Sequence, residues 1–331
     1  MLKFNEQKQL DNVNGALSLK PEVEKWVDKI WDRGFENICF LGIGGTYASA
    51  LQVEKHLKAK SKLKVIVEEA AEFLTTGNKN VTDQTIVIIS SVTGNTKEMV
   101  EAMEKIKEIG SYVIEFIDEK ESTLAKMFDN VISYPGDEQL KFSLVADYLM
   151  YKNEEFDDYE NYYDQLEKNL AKDLVAIEKS ADNFGKEFAE KHRHDEMQYY
   201  IGAGNQWGST YSYAMCYVEE QHWLRSKSIT AAEFFHGTLE IIDENTSVTL
   251  FIGEDAERPL AERVKKFLPK VCGNYTIIDS KDYPLDGIDE KYRGYLSHLV
   301  THCVTQRIDA HIEHLNRHPM DIRRYYRQFD Y

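Results

Sequence analysis

The chain has no apolar run approaching the ~20 residues that a membrane-spanning helix needs, and its opening stretch, MLKFNEQKQLDNVNG, lacks the hydrophobic core of a secretory signal. A cytoplasmic protein is therefore expected. Cysteine is sparse: Cys39, Cys216, Cys272 and Cys303 are scattered and form no CxxC pair, which argues against a disulfide framework or a thiolate zinc site and leaves buried thiols as the expectation. Positive charge is also short, with 40 Lys and Arg against 57 Asp and Glu and a net charge of −17. Such a surface repels phosphate backbones and anionic lipids unless a local basic patch intervenes. The sequence shows no such patch, and the segment Asn153–Glu167 (NEEFDDYENYYDQLE) is acidic instead. Neither nucleic-acid nor membrane binding is expected.

What is present is a globular balance of 42% hydrophobic and 29% charged residues, over 331 residues, enough for two ordinary cores. Short β-branched runs alternate with helical patterns in the first half. Strands are expected at Asn37–Ile43, Lys64–Glu68, Thr85–Ser90, Tyr112–Ile117 and Val131–Tyr134, and helices at Tyr47–Leu57 and Thr96–Ile109. Continuous apolar strands separated by helices read as a parallel sheet covered on both faces. The second half repeats the plan, with strands at Met197–Ala203, Val248–Gly253 and Tyr275–Asp279, and helices at Ser209–Arg225, Arg258–Val271 and Gly294–Arg317. Phe40–Ser49 (FLGIGGTYAS) and Tyr200–Ser209 (YIGAGNQWGS) both put Gly-x-Gly between a strand and a helix, the mark of a duplication. The expected fold class is thus α/β with two tandem, doubly wound, mostly parallel sheets. The expected divisions are a helical segment over 1–34, a first domain over 35–151, a connecting helix over 152–184 and a second domain over 185–331.

The strongest local signal is Ser90-Ser91-Val92-Thr93-Gly94-Asn95-Thr96, between the strand TIVIIS and the helix KEMVEAMEKIKEI. A helix N-terminus presents backbone N–H groups and the positive end of its dipole to an anion. Ser91, Thr93 and Thr96 add hydroxyl donors, and Gly94 lets the backbone approach closely. An ordinary N-cap needs only one hydroxyl; this loop has several and no lysine, which suits a monophosphate held by neutral donors. The matching place in the second half, Gly253–Glu257 (GEDAE), carries carboxylates, so phosphate is expected in the first domain alone.

Gly42-Ile43-Gly44-Gly45 after the first strand, with Glu68 ending the second, is also placed like a dinucleotide fingerprint. The third glycine of that pattern would fall at Tyr47, which is expected to obstruct close packing of helix on strand, so no nicotinamide or flavin is assigned.

For acid–base chemistry, Glu219 and Glu220 sit in the helix after the second Gly-x-Gly, and His236 follows in Glu233–Gly237 (EFFHG). A carboxylate and an imidazole are the usual pair for moving protons between sugar carbons and oxygens near neutral pH. A half-buried face is expected for Glu220, although a helical Glu is more commonly solvated and a His before Gly is commonly a turn residue. His298, His302, His311, His314 and His318 have helical spacings that can suit a metal. No complete ligand shell accompanies them, and they read as a solvated or inter-helix face.

Together Ile43–Ser49, Ser90–Thr96 and Tyr213–Asp243 resemble the sugar isomerase (SIS) domain family, which includes the isomerase half of glucosamine-6-phosphate synthase. The resemblance spans nearly the whole chain as two tandem domains. Ser91–Thr96 resembles that family's Ser-x-Ser-Gly-x-Thr phosphate loop, with Thr93 in place of a serine, and Thr46, beside Gly44, falls on another phosphate-binding hydroxyl. Glu220 falls on the family's catalytic base and His236 on the histidine of its His-Gly-Pro motif, here with Thr238 for proline. Within the family, Ala231–Ile242 (AAEFFHGTLEII) and the tail from His318 to Tyr331 are most similar to the fructosamine-6-phosphate deglycases; no cysteine-led glutaminase domain precedes the sheet, as the synthase would require.

The resemblance implies a 6-phosphorylated Amadori compound as substrate, with glucose 6-phosphate and a free amine as products. It also implies no metal or redox cofactor, and a homodimer or larger homo-oligomer in which the histidine enters from a partner subunit. An aldose–ketose isomerase or amino-sugar-phosphate deaminase would use the same scaffold. A sugar-phosphate sensor without turnover is the alternative of another class, though regulators of that kind carry a helix-turn-helix and a basic surface.

Overall fold

The computed structural model describes residues 1–329, so Tyr331 at the end of the tail lies outside the described residues. The chain divides into two compact units, one of residues 7–171 and the other of residues 1–6 with 172–331. In chain order the elements of the first are α1 (Glu6–Leu17), α2 (Lys20–Arg33), β1 (Asn37–Gly42), α3 (Gly45–Lys60), β2 (Val65–Glu69), α4 (Ala70–Thr76), β3 (Thr85–Ser91), α5 (Lys97–Ile109), β4 (Tyr112–Ile117), β5 (Val131–Ile132) and α6 (Glu138–Lys152). A 34-residue helix, α7 (Tyr159–His192), runs on into the second unit. There follow β6 (Gln198–Gly202), α8 (Gln206–Ser212), a π-helix (Tyr213–Glu219), β7 (Ser226–Thr230), β8 (Ser247–Ile252), α9 (Arg258–Phe267), β9 (Tyr275–Asp279) and α10 (Glu290–Asn316).

The first sheet has the order β2-β1-β3-β4-β5, all parallel. Its central strands β1 and β3 are buried along their whole length and mostly apolar, because both faces are covered. On one face Cys39, Leu41, Val87, Ile89, Val113 and Ile117 pack with Met99, Ala102, Met103 and Ile106 of α5. On the other, Phe142 of α6 lies edge-on to Phe40 at 5.2 Å between ring centres. The second sheet, β7-β6-β8-β9, is also parallel. Its strand sequence (second, first, third, fourth) matches that of the first sheet, so the two Gly-x-Gly loops occupy equivalent places. Ile201, Val248, Leu250 and Ile252 pack against Ala261 and Val264 of α9.

Several element readings change. The helix expected over Ser209–Arg225 is a short α-helix, a π-helix and a turn, because the chain must reverse into the edge strand β7; Trp223 takes a φ of +57° to make that reversal. β7 itself (SKSIT) is too short and polar to have been read as a strand. The helix expected over Arg258–Val271 ends at Phe267 and tightens into a 3₁₀ turn over Leu268–Lys270, where Pro269 supplies no backbone N–H. The connecting helix extends beyond its expected end through Gly185, whose missing Cβ lets α7 approach α10: a Cβ there would stand 2.7 Å from the carbonyl carbon of Arg307.

Candidate functional site

In the first sheet the chain leaves β1 for β2 on one side and returns to β3 on the other. The carboxyl ends of β1 and β3 therefore flank a topological switch point, where open α/β sheets bind ligands. Two loops meet there, 43–46 after β1 and 91–96 after β3. The second is built for one shape. Gly94 has φ +58°, and a Cβ on it would stand 2.1 Å from Ser122 Oγ. Its N–H donates to Ser91 Oγ at 3.0 Å, while its carbonyl accepts from Leu124 N–H at 3.0 Å. Asn95 Oδ1 accepts from both the N–H and the hydroxyl of Thr123, at 3.0 and 2.9 Å. The segment 122–124 thus backs the loop and fixes its curvature.

Thr96 is the N-cap of the 13-residue α5, yet its side chain makes no capping bond. In an ordinary cap that hydroxyl would accept from the first helical turn. Ser91 is buried at the end of β3, and Thr93 and Thr96 are half-buried. Thr46 Oγ1 lies 3.0 Å from both the N–H and the carbonyl of Ile43, so it also closes its own loop. Gly44, at φ +57°, is the N-cap of α3.

Tyr47 does not obstruct the packing of α3 on β1. Helix α3 does pack directly on β1, because the glycine that matters is Gly42: a Cβ there would stand 2.6 Å from Tyr47 N. The Tyr47 ring is half-buried and does not enter that contact.

In the second unit the equivalent loop is filled from within. Gly204 N–H donates to Glu257 Oε2 at 3.0 Å and Asn205 N–H to Asp255 Oδ2 at 2.6 Å. The carboxylates of the GEDAE segment thus accept from the backbone of the loop after β6.

Glu220 follows immediately on the π-helix. Its N–H reaches the carbonyl of Met215, five residues back, and His222 N–H likewise reaches Tyr217. Such widened turns are rare and concentrate at functional sites. Asp309 of α10 ties this segment at both ends: its Oδ1 accepts from Tyr213 Oη at 3.0 Å and lies 2.9 Å from His222 Nε2. The Glu220 side chain is 38% exposed and paired with Arg323, whose Nε donates to its Oε1 at 2.8 Å. Arg324 lies over the Trp223 ring at 4.4 Å and His318 is 4.3 Å from it, so the tail is fastened to the turn after Glu220. Glu219 is occupied elsewhere, accepting from Ser226 N–H and Oγ at 3.3 and 3.2 Å.

His236 stands exposed on a 3₁₀ turn, Phe234–His236, and no hydrogen bond or ion pair joins it to Glu220 among the described residues. The α10 histidines divide. His298 and His311 are buried, the latter 3.1 Å from Asp182 of α7, and burial holds the His302 ring below its usual pKa; His314 is exposed.

Arg323, Asp309 and His222 were not singled out in the sequence. The first lies in the tail that carried part of the resemblance, which was a signal. The other two are distant partners that no local pattern marks.

A scan against family models matches residues 31–151 to the SIS domain. Among curated proteins, the fructosamine deglycase FrlB of Bacillus subtilis is 30% identical over 94% of this chain and 97% of its own length. The fructoselysine 6-phosphate deglycase of Escherichia coli is 24% identical over 92% of this chain and 90% of its own. Among solved structures, a candidate phosphosugar isomerase of Bacillus subtilis superposes with a TM-score of 0.88 at 27% identity, covering 95% of this chain and 99% of that one.

Proposed function

The chain belongs to the sugar isomerase (SIS) domain family, and from that premise we propose that it is a deglycase acting on 6-phosphorylated Amadori compounds. The observation that carries this reading is the end-to-end match with a fructosamine deglycase, which leaves neither chain with an unmatched domain. In the proposed reaction the loop 91–96 holds the 6-phosphate through hydroxyl and backbone N–H donors. Glu220 takes a proton from C1, the carbon bearing the amine, and the electron pair forms the C1–C2 double bond of an enaminol as the C2 carbonyl oxygen gains a proton. Return of a proton to C2, with the nitrogen lone pair forming the C1–N double bond, gives the protonated C1 imine of glucose 6-phosphate. Water adds to that imine, and the C1–N bond breaks to release the free amine. One water is consumed and no electrons leave the substrate.

Glu220 suits the base because it is fixed at the end of a rigid π turn yet still partly open. His236 suits proton traffic on oxygen or nitrogen near neutral pH, and its exposure supports a homodimer in which it is supplied to a partner's site. The test is incubation with a panel of phosphorylated Amadori compounds, coupled to detection of glucose 6-phosphate. Release of the sugar phosphate with stoichiometric amine supports the reading. Turnover of fructose 6-phosphate alone, with every adduct inert, would replace it with a plain isomerase.

A further inference from the structure

We propose that Glu138, at the start of α6, is the positioning residue that holds the Gly44–Thr46 loop in register with the loop 91–96 for phosphate; this rests on the reading of 91–96 as the phosphate loop. Its Oε1 accepts from Ser49 Oγ. Ser49 is only 3% exposed. It stands one turn into α3, directly after the Gly44–Thr46 loop. Glu138 therefore ties the segment behind that loop to α6.

The next turn of α6 repeats the tie. Lys141 is buried, and its Nζ donates to Asp118 Oδ1 at 3.1 Å and to the Tyr134 carbonyl at 2.9 Å. Asp118 in turn donates its N–H to the Ser91 carbonyl at 3.1 Å and accepts from Gly136 N–H at 3.3 Å. The loop 91–96 is thus held from Ser91 through the Lys141–Asp118 pair, and the Gly44–Thr46 loop from Ser49 through Glu138, both by the first turns of α6. Burial raises the pKa of Glu138 above its ordinary value, and its carboxyl accepts from the Ser49 hydroxyl in either protonation state. Partners standing behind a ligand-binding group set its orientation, and the ligand reads the difference as affinity.

The experiment compares Glu138→Leu, Glu138→Gln and Ser49→Ala with the full-length protein. It uses calorimetry with inorganic phosphate and glucose 6-phosphate, steady-state kinetics and thermal melting. Glu138→Leu should weaken phosphate binding and raise KM by about tenfold to a hundredfold, with kcat little changed because the phosphate is remote from the reacting carbons. Glu138→Gln, which keeps a donor and an acceptor, should recover most of that loss, and Ser49→Ala should show part of it. Should Glu138→Leu fail to fold, the contrast between Glu138→Gln and Ser49→Ala carries the test. Unchanged phosphate affinity in these variants would overturn the proposal, as would a loss confined to kcat. Thr93→Asp serves as the control: if it leaves phosphate binding intact, the loop reading has failed. If it abolishes binding while the Glu138 variants bind normally, only the positioning role has failed.

Discussion

Arg323 Nε donates to Glu220 Oε1 at 2.8 Å, so the carboxylate proposed as base is held by a guanidinium from the tail. Arg323 also donates to the carbonyls of Met320 and Ile322, at 2.7 and 2.9 Å, which fixes its direction. The base is therefore aimed before substrate arrives, and a group that keeps its shape without its basicity should still be aimed. Glu220→Gln should bind substrate normally and lose turnover by about 10²–10⁴, the usual contribution of a positioned general base. Glu219, committed to Ser226, should not replace it, and Glu219→Gln should turn over at close to the parent rate. Single-turnover kinetics on both variants checks this; a Glu220→Gln enzyme retaining most activity rules Glu220 out as the base.

The loop 91–96, proposed to hold the phosphate, contains no Lys or Arg, so its affinity should be sensitive to an added negative charge. Thr93→Asp should abolish measurable binding of glucose 6-phosphate in calorimetry. The parent protein should bind one phosphate per chain, because the loop of the second unit that matches 91–96 carries Asp255 and Glu257, whose carboxylates accept from Asn205 and Gly204 N–H. A stoichiometry of two would contradict this account.

Much of this was legible beforehand. Alternating apolar strands and helices gave both parallel sheets, since a strand covered on both faces must be apolar along its length, as Ile38–Leu41 and Ile86–Ile89 are. The loop 91–96, proposed above to hold phosphate, stands out in the sequence because hydroxyls, glycine and a helix start are all local there. What could not be read depends on partners far along the chain. The Arg323–Glu220 pair is 103 residues apart, and the Asp309 ties bridge 96 and 87. The π-helix has no composition of its own; it follows from the demand that the chain reverse into β7. Tyr47 was misjudged because the contact that matters is made by its backbone against Gly42, which a residue-type argument overlooks.

If the imidazole of His236 serves a partner's site, two differently damaged chains should repair one another. Glu220→Gln and His236→Asn should each be inactive alone. Mixed and allowed to exchange subunits, they should recover up to about a quarter of the parent activity, because half of the pairs are heterodimers and each of those holds one intact site. Sedimentation should show a dimer at assay concentration. A fully active monomer, or mixtures with no recovery after proven exchange, would place His236 and Glu220 in the same chain's chemistry.

The last prediction concerns stability rather than catalysis. Glu115 lies on β4 between Val113 and Ile117, on the face that carries the α5 core, and it is fully buried. Among the described residues neither of its carboxylate oxygens has a hydrogen-bond partner, and burial pushes its pKa up from 4.5 to about 8. The folded chain thus keeps a proton that the unfolded chain gives up. The unfolded state binds fewer protons between those values, so stability falls as pH rises through that window, by about 1.4 kcal/mol per pH unit, and levels off above it. The neutral acid is tolerated in the core, but its anion has no compensating charge or donor. Glu115→Met, similar in volume and apolar, should remove this slope and unfold at higher denaturant than the parent at about pH 8, with the gap narrowing toward pH 5. Urea midpoints for the two proteins across that range decide the matter. Parallel curves would mean that Glu115 finds a partner or water in solution, and a larger gap at acid pH would reverse the assignment.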